Sequence, residues 1–447
     1  MRQQLLEREL KVMTKKAIVV GAGFAGVEAA MQLSRAGIKT HLYEMKPIKF
    51  SPAHKNENFA ELVCSNSFKA QRIDSAAGLL KEEMTRFDSL CVRIAKECSV
   101  PAGDALSVDR EIFAQRVTDE VIKCENITIH REEVTDIPEI GKDADAVIIA
   151  AGPLVSDALA EKIENLCGSF LHFFDAVSPI VSADSIDMDK AFFQSRYDRG
   201  GEKDYINCPM NREEYEAFYE ELIRAESVLQ QDFDKRKGVY EGCMPIEIMA
   251  LRGADTMRFG PLKPVGLKDP RTGHRPWACL QLRKETAEGT MYNLVGFQTN
   301  LKFGEQKRVF SMIPALHNAE FFRYGVMHRN TFINSPKLLG PDFAFKSVPG
   351  LYFAGQITGV EGYMESAMSG ILAGINVARM LNKQEPLILP KTTMMGALSA
   401  YISDPTVENF QPMGANFGVL PPIEPYIKEK KERYAALADR ALKEFKV

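Results

Sequence analysis

Short apolar runs alternate with amphipathic stretches along the chain. Ala17-Ile18-Val19-Val20 is a β-branched run that predicts a buried strand, and 27–30 opens an Ala-rich helix just after it. Residues 39–44 predict a second strand that ends in a carboxylate, Glu44. Helical spacing over 78–95 places Leu79, Leu80, Met84, Phe87, Leu90 and Cys91 on one apolar stripe. A further amphipathic helix is expected over 109–122, with Asp109 as its cap. Residues 127–130 and 146–149 read as strands, the second of them buried and ending in the small residues Ala150, Ala151 and Gly152. Later come an acidic helix over 211–226, a strand entering a glycine-rich turn over 350–363, and a helix over 367–381 rich in small residues. A charged amphipathic helix is expected over 426–445.

Between the first strand and helix stands Gly21-Ala22-Gly23-Phe24-Ala25-Gly26. Gly21 permits a tight turn, Gly23 lets a pyrophosphate approach the backbone, and Gly26 lets the helix pack on the strand. The helix N-terminus offers N–H groups and partial positive charge to the phosphates. Glu44 lies 18 residues after Gly26, placed to accept from a ribose hydroxyl. The late turn adds Gly355, Gln356, Gly359, Glu361 and Gly362. Two cofactor-contacting segments so far apart, together with Gly152, favour FAD spanning a domain built from both ends of the chain.

The predicted fold class is therefore α/β: a Rossmann-like FAD-binding domain of the two-dinucleotide-motif kind, carrying an inserted α+β domain. Its expected divisions are a leader over 1–15, the cofactor domain over 16–183 and 329–447, and the insertion over 184–328. Composition changes little: 45% hydrophobic and 26% charged residues suit a globular chain of two or three domains. No apolar run approaches the roughly 20 residues of a membrane helix, and the polar leader lacks a signal-peptide core, so a cytoplasmic location is expected. The eight cysteines form no Cys-x-x-Cys pair and no zinc spacing, so no metal is expected. A net charge of −4 argues against a nucleic-acid coat protein but leaves room for a local basic face. Residues 258–284 hold seven Lys or Arg against one acid, Asp269.

Several long, irregular motifs are more specific than the glycine turn. They include Leu42-Tyr43-Glu44-Met45-Lys46-Pro47, Phe59-Ala60-Glu61-Leu62-Val63-Cys64-Ser65-Asn66-Ser67 and Glu241-Gly242-Cys243-Met244-Pro245. Others are Phe259-Gly260-Pro261-Leu262-Lys263-Pro264 and Val326-Met327-His328-Arg329-Asn330-Thr331. In these the chain resembles the folate- and FAD-dependent tRNA (uracil-5-)-methyltransferases, within the glucose-inhibited-division-A-like flavoproteins. The resemblance implies FAD as cofactor, 5,10-methylenetetrahydrofolate as one-carbon donor, and NADPH or NADH as reductant. It implies a uridine of the tRNA T-loop, conventionally position 54, as target. Uracil C5 is a poor nucleophile until a thiolate adds at C6. Cys243 is the first candidate for that thiolate, and Cys64 the second, as its partner or protector near the flavin. Cys91, Cys124, Cys167, Cys208 and Cys279 are left as structure. Glu361 and Glu365 are both candidates for the base that removes the C5 proton. His328, Arg329 and Asn330 are assigned to folate. Lys263, Arg271, Arg275, Arg283 and Lys284, with Lys302, Lys307 and Arg308, are expected to hold RNA phosphates.

Two alternatives stay open from the residues. One is the same chemistry on a uridine of 23S rRNA. The other is an FAD-dependent small-molecule oxidoreductase with no RNA partner, against which the basic segment and the Cys243 motif speak.

Overall fold

The computed structural model describes residues 15–198, 201, 204–228, 244–286, 288–408 and 410–445. Strand β1 (Lys16–Val20) passes through the glycine turn into helix α1 (Phe24–Arg35), which returns to strand β2 (Lys39–Tyr43). β1 is central to a parallel five-stranded sheet, flanked on one side by β2 and Ile127–His130 and on the other by Ala146–Ile149 and Leu351–Phe353. Its register pairs Val19 with both Leu42 and Ile148. The strand order reverses beside β1, which places a crevice at the carboxyl ends of the strands. Helix Tyr363–Leu381 lies against α1, and both helices bury most of their length in the first hydrophobic core.

A second core is built on a six-stranded antiparallel sheet in the order Phe192–Phe193, Tyr205–Met210, Ala278–Lys284, Met291–Leu294, Ile180–Ser182, Phe321–Arg323. Its strand Ile180–Ser182 precedes the boundary expected at Asp184. The antiparallel pair Leu171–Ala176 and Met327–Phe332 forms the crossing between the two cores. Helix Arg212–Arg224 opens with a capping box, in which Asn211 accepts from the Glu214 N–H and Glu214 accepts from the Asn211 N–H.

The helix expected over 78–95 is two helices, Ala76–Thr85 and Leu90–Glu97. The break comes from a residue far upstream. The buried Glu28 carboxylate accepts from Ser89 Oγ (2.5 Å), Leu90 N (3.2 Å) and Cys91 N (2.8 Å), so it caps a new helix there, while Asp88 takes φ +52. Asp109 caps Arg110–Ile122 through the Glu111 and Ile112 N–H groups, as its position in the sequence suggests. The last helix, Lys430–Glu444, buries Leu437, Ala438 and Ala441 and sets Phe445 edge-on against Phe87. Among the described residues no helix is long and apolar enough to cross a membrane.

Glu247, buried in the second core, accepts from Asn300 N (2.8 Å) and Thr299 Oγ1 (2.9 Å). Burial pushes its carboxyl from 4.5 up to about 7. A carboxyl with a raised folded pKa keeps its proton longer in the folded state, so stability falls as pH rises from about 4.5 through about 7. Glu247→Gln keeps an acceptor for Asn300 and turns a donor toward Thr299. Urea unfolding at pH 5 and pH 8 is expected to show the variant losing roughly 3 kcal/mol less than wild type between the two. Equal losses would mean that Glu247 ionises normally.

Candidate active site

The crevice at the carboxyl end of β1 opens into a cleft of about 1280 Å³, part of it open to solvent. Gly21, Ala22, Gly23, Phe24 and Ala25 form one wall, and Glu44 stands beside them. Gly152, Gly355 and Gln356 line the opposite side, joining both ends of the chain around one space.

The residues present fit a dinucleotide. No side chain caps α1 at Gly23, and a Cβ built on Gly23 would meet nothing within 4 Å, so an oxyanion has access to the helix N-terminus. Gly26 serves packing instead: a Cβ there would come within 1.7 Å of Gly21 O. The Glu44 carboxylate accepts from Ala22 N (2.9 Å) and Lys46 N (3.0 Å). Each of its oxygens keeps a second lone pair for a hydroxyl. Gly359, Glu361 and Gly362 stand behind the lining. Both carboxylate oxygens of Glu361 accept from Gln356 Nε2, at 3.1 and 3.0 Å, and so support a lining residue.

Loop 45–61 covers one side of the cleft and carries the chain toward Cys64. Lys46, buried, donates to Asn56 O (3.0 Å) and Asn58 O (2.6 Å) and pairs with Glu61 (3.2 Å). Arg131 lies 4.2 Å over the Phe59 ring and donates to Glu57 O. Cys64 is half-buried and lines the cleft. Its Sγ is 3.1 Å from Tyr363 Oη, and its backbone N–H donates to the same oxygen at 2.9 Å. Tyr363 packs on Phe24 with ring centroids 4.8 Å apart, which ties the thiol to the glycine turn. Burial pushes the thiols of Cys91, Cys98, Cys124, Cys167, Cys208 and Cys279 upward, Cys167 and Cys279 to about 12. Those six are poor nucleophiles.

Cys243 lies outside the described residues, as do the side chains of His328 and Arg329. Asn330 lines the cleft. Glu365 is held away from it by Lys69 (3.1 Å) and by the Ala415 N–H (2.9 Å). The basic residues divide. Arg275 and Lys307 are exposed, Lys263 and Lys284 half-buried. Arg271 is bound to Asp269 (2.7 Å), Lys302 to Glu226 (2.5 Å), and Arg308 to Glu221 and Glu305. Arg283 is buried, donating to Asn66 Oδ1 (3.0 Å) and Ser65 Oγ (2.8 Å), so it faces the junction of the two cores and not an outer surface. Tyr363, Arg110 and Arg323 were given no role from the sequence. Only the adjacency of Tyr363 to the late glycine turn marked any of them.

A family model, glucose inhibited division protein A, matches residues 16–385. The solved structure of Aquifex aeolicus GidA superposes with a TM-score of 0.70 at 16% identity, covering 97% of this chain and 73% of that one, which shows a shared fold. The chain is 55% identical over 430 residues to the methylenetetrahydrofolate--tRNA-(uracil-5-)-methyltransferase TrmFO of Bacillus cytotoxicus, covering 96% of this chain and 98% of the relative. The chain belongs to this methyltransferase family. The TrmFO protein of Pelotomaculum thermopropionicum is 57% identical over 425 residues, covering 95% and 96%. At such coverage the TrmFO family match includes both the cleft around Cys64 and the basic segment of the second core.

Proposed function

We propose that this protein is a cytoplasmic, folate-dependent tRNA methyltransferase that places a methyl group on C5 of the T-loop uridine at position 54. The observation that carries the reading is Cys64 lining the same cleft as the glycine turn, within a chain of this family. FAD, when bound, supplies the carrier for the one-carbon unit from 5,10-methylenetetrahydrofolate and the reducing equivalents that complete the methyl group; NADPH or NADH restores them. The chain's own residues do the rest. The N-terminus of α1 and Gly23 receive the pyrophosphate, and Glu44 takes the ribose hydroxyls. Glu361 fixes Gln356 at the far wall. A uridine inside a folded T-loop must leave its stack to reach this cleft. Exposed cations of the second core, Arg275 and Lys307 among them, hold backbone phosphates while it does so. Cys243 adds to C6, and Cys64 and Tyr363 stand at the cofactor side.

The test is transfer of label from methylenetetrahydrofolate to unmodified tRNA transcript with FAD and NADPH, for wild type and Cys243→Ala. Label in the T-loop uridine, absent without folate and absent with Cys243→Ala, is the expected result. An active Cys243→Ala would keep the reaction and remove this nucleophile. Label in ribosomal RNA alone would change the target, and label in neither RNA would end the reading.

A further inference from the structure

Beside Cys64 the two cores meet at a buried polar seam that the cofactor cleft does not explain. Three guanidiniums converge on the segment 62–66. Arg110 donates to Leu62 O (3.2 Å), Arg323 to Cys64 O (3.4 Å), and Arg283 to Asn66 and Ser65. Arg110 comes from a helix of the first core, whereas Arg283 and Arg323 come from two strands of the second sheet. Glu285, 1% exposed, faces them and pairs with Arg110 (2.5 Å).

Among the described residues the charges in this cluster do not balance. Three guanidiniums meet one carboxylate, and Arg323 Nε is buried without a hydrogen-bond partner among the described residues. A buried guanidinium donor left unmatched is costly, and one with spare donors in a fixed fork is suited to an oxyanion. Burial and the charge of Arg110 push Arg323 down to about 10, so it remains a cation at neutral pH.

We propose that Arg323, with Arg110 and Arg283, forms an oxyanion site that receives a phosphate flanking the nucleotide whose base enters the cleft. The inference rests on the RNA-methyltransferase reading and assigns its backbone contact. Two of the three arginines belong to the sheet that also carries the basic segment 258–284, the side from which RNA would approach. Arg323 is anchored on the Cys64 carbonyl itself, so an anion held there lies beside the thiol, where an extruded uridine would carry its own backbone. The carboxylate of the folate donor has the same chemistry and is separated from RNA by the test.

The experiment uses the holoenzyme and a T-arm hairpin in which a single uncharged methylphosphonate replaces the phosphate 5′ of the target uridine, or, in a second oligonucleotide, the one 3′ of it. The preceding nucleotide is 2′-deoxy in these and in the matched phosphate controls. For wild type, one of the two replacements is expected to weaken binding about tenfold. Arg323→Gln should weaken binding of the all-phosphate hairpin by a similar factor and show no further penalty from that replacement, because the two changes remove one contact. Its salt slope should fall by about 0.7–0.9. Arg323→Lys should recover much of the affinity and the slope. Bound-flavin absorbance checks that each variant is folded, and if Arg323→Gln loses flavin the coupling is read on Arg323→Met, which keeps the aliphatic length and removes the charge. A methylphosphonate penalty equally large in wild type and variant overturns the proposal. So does a raised KM for methylenetetrahydrofolate with unchanged RNA affinity, which would give the site to the folate carboxylate. Wild type that neither binds nor methylates the hairpin would instead overturn the reading beneath it.

Discussion

Gly370→Ala is expected to destabilise the protein by about 3 kcal/mol or more and to strip it of flavin. Gly370 lies in helix Tyr363–Leu381 where that helix crosses α1. A Cβ built on it would sit 2.0 Å from Ala25 O and 2.7 Å from Ala25 Cα. Both obstructing atoms are backbone, so no rotamer change relieves the overlap and the helices must separate. Ala25 also lines the cofactor cleft, one residue from Phe24 and two from Gly23, so the displacement moves the pyrophosphate cradle with it. Neighbouring positions on both helices are fully buried, including Ala29, Ala367 and Ala373, and the shift therefore opens voids in a packed core. Urea unfolding and the flavin absorbance of purified protein read the two effects. Gly304→Ala supplies the control: a Cβ there meets nothing within 4 Å, and alanine is favoured at this exposed helical position. If Gly370→Ala unfolds at the same urea concentration as Gly304→Ala, the close helix contact is not what holds this cleft together.

What the sequence disclosed and what it hid follow from the range of the interactions involved. The glycine turn was legible because its requirements are local: Gly21 and Gly26 meet each other five residues apart, and Glu44 closes on Ala22 across one βαβ unit. The Asp109 cap was legible for the same reason. The single helix expected over 78–95 was wrong because the stripe of apolar residues continues across a break imposed by Glu28, some sixty residues away. Charge counting over 258–284 and 302–308 could not tell a free cation from a paired one. Arg308 and Lys302 are matched by Glu221 and Glu226, at and just past the end of an acidic helix remote in sequence, and Arg283 lies on a strand that is buried on both faces. The Cys64–Tyr363 contact joins residues 299 apart, and the arginine seam joins three elements from both cores. Motif matching could name Cys64. Only the fold could supply its neighbours.

Those neighbours set the expectation for Cys64→Ala: a fall of at least about 100-fold in kcat for methyl transfer, with RNA affinity and flavin content unchanged. The backbone N–H of Cys64 donates to Tyr363 Oη, and the hydroxyl's own proton is available to Sγ, 3.1 Å away. Burial, reinforced by Cys64, pushes the Tyr363 phenol well above its ordinary value, so it stays a protonated donor. A donor aimed at sulfur favours the thiolate, as do the three guanidiniums around the same segment. Removing the thiol deletes one cleft-lining group without touching the glycine cradle or the exposed cations, hence the expected loss in kcat alone. Tyr363→Phe keeps the ring packed on Phe24 and removes only the donor; it is expected to slow transfer about tenfold at neutral pH. With the thiolate less favoured, the thiol pKa rises and the acid limb of the pH–rate profile moves to higher pH, so the deficit of Tyr363→Phe should shrink as pH is raised. Single-turnover methyl transfer across pH 6 to 9 measures all three proteins. A Cys64→Ala protein with wild-type kcat would remove Cys64 from the chemistry, and a Tyr363→Phe deficit constant with pH would leave the tyrosine a purely structural contact.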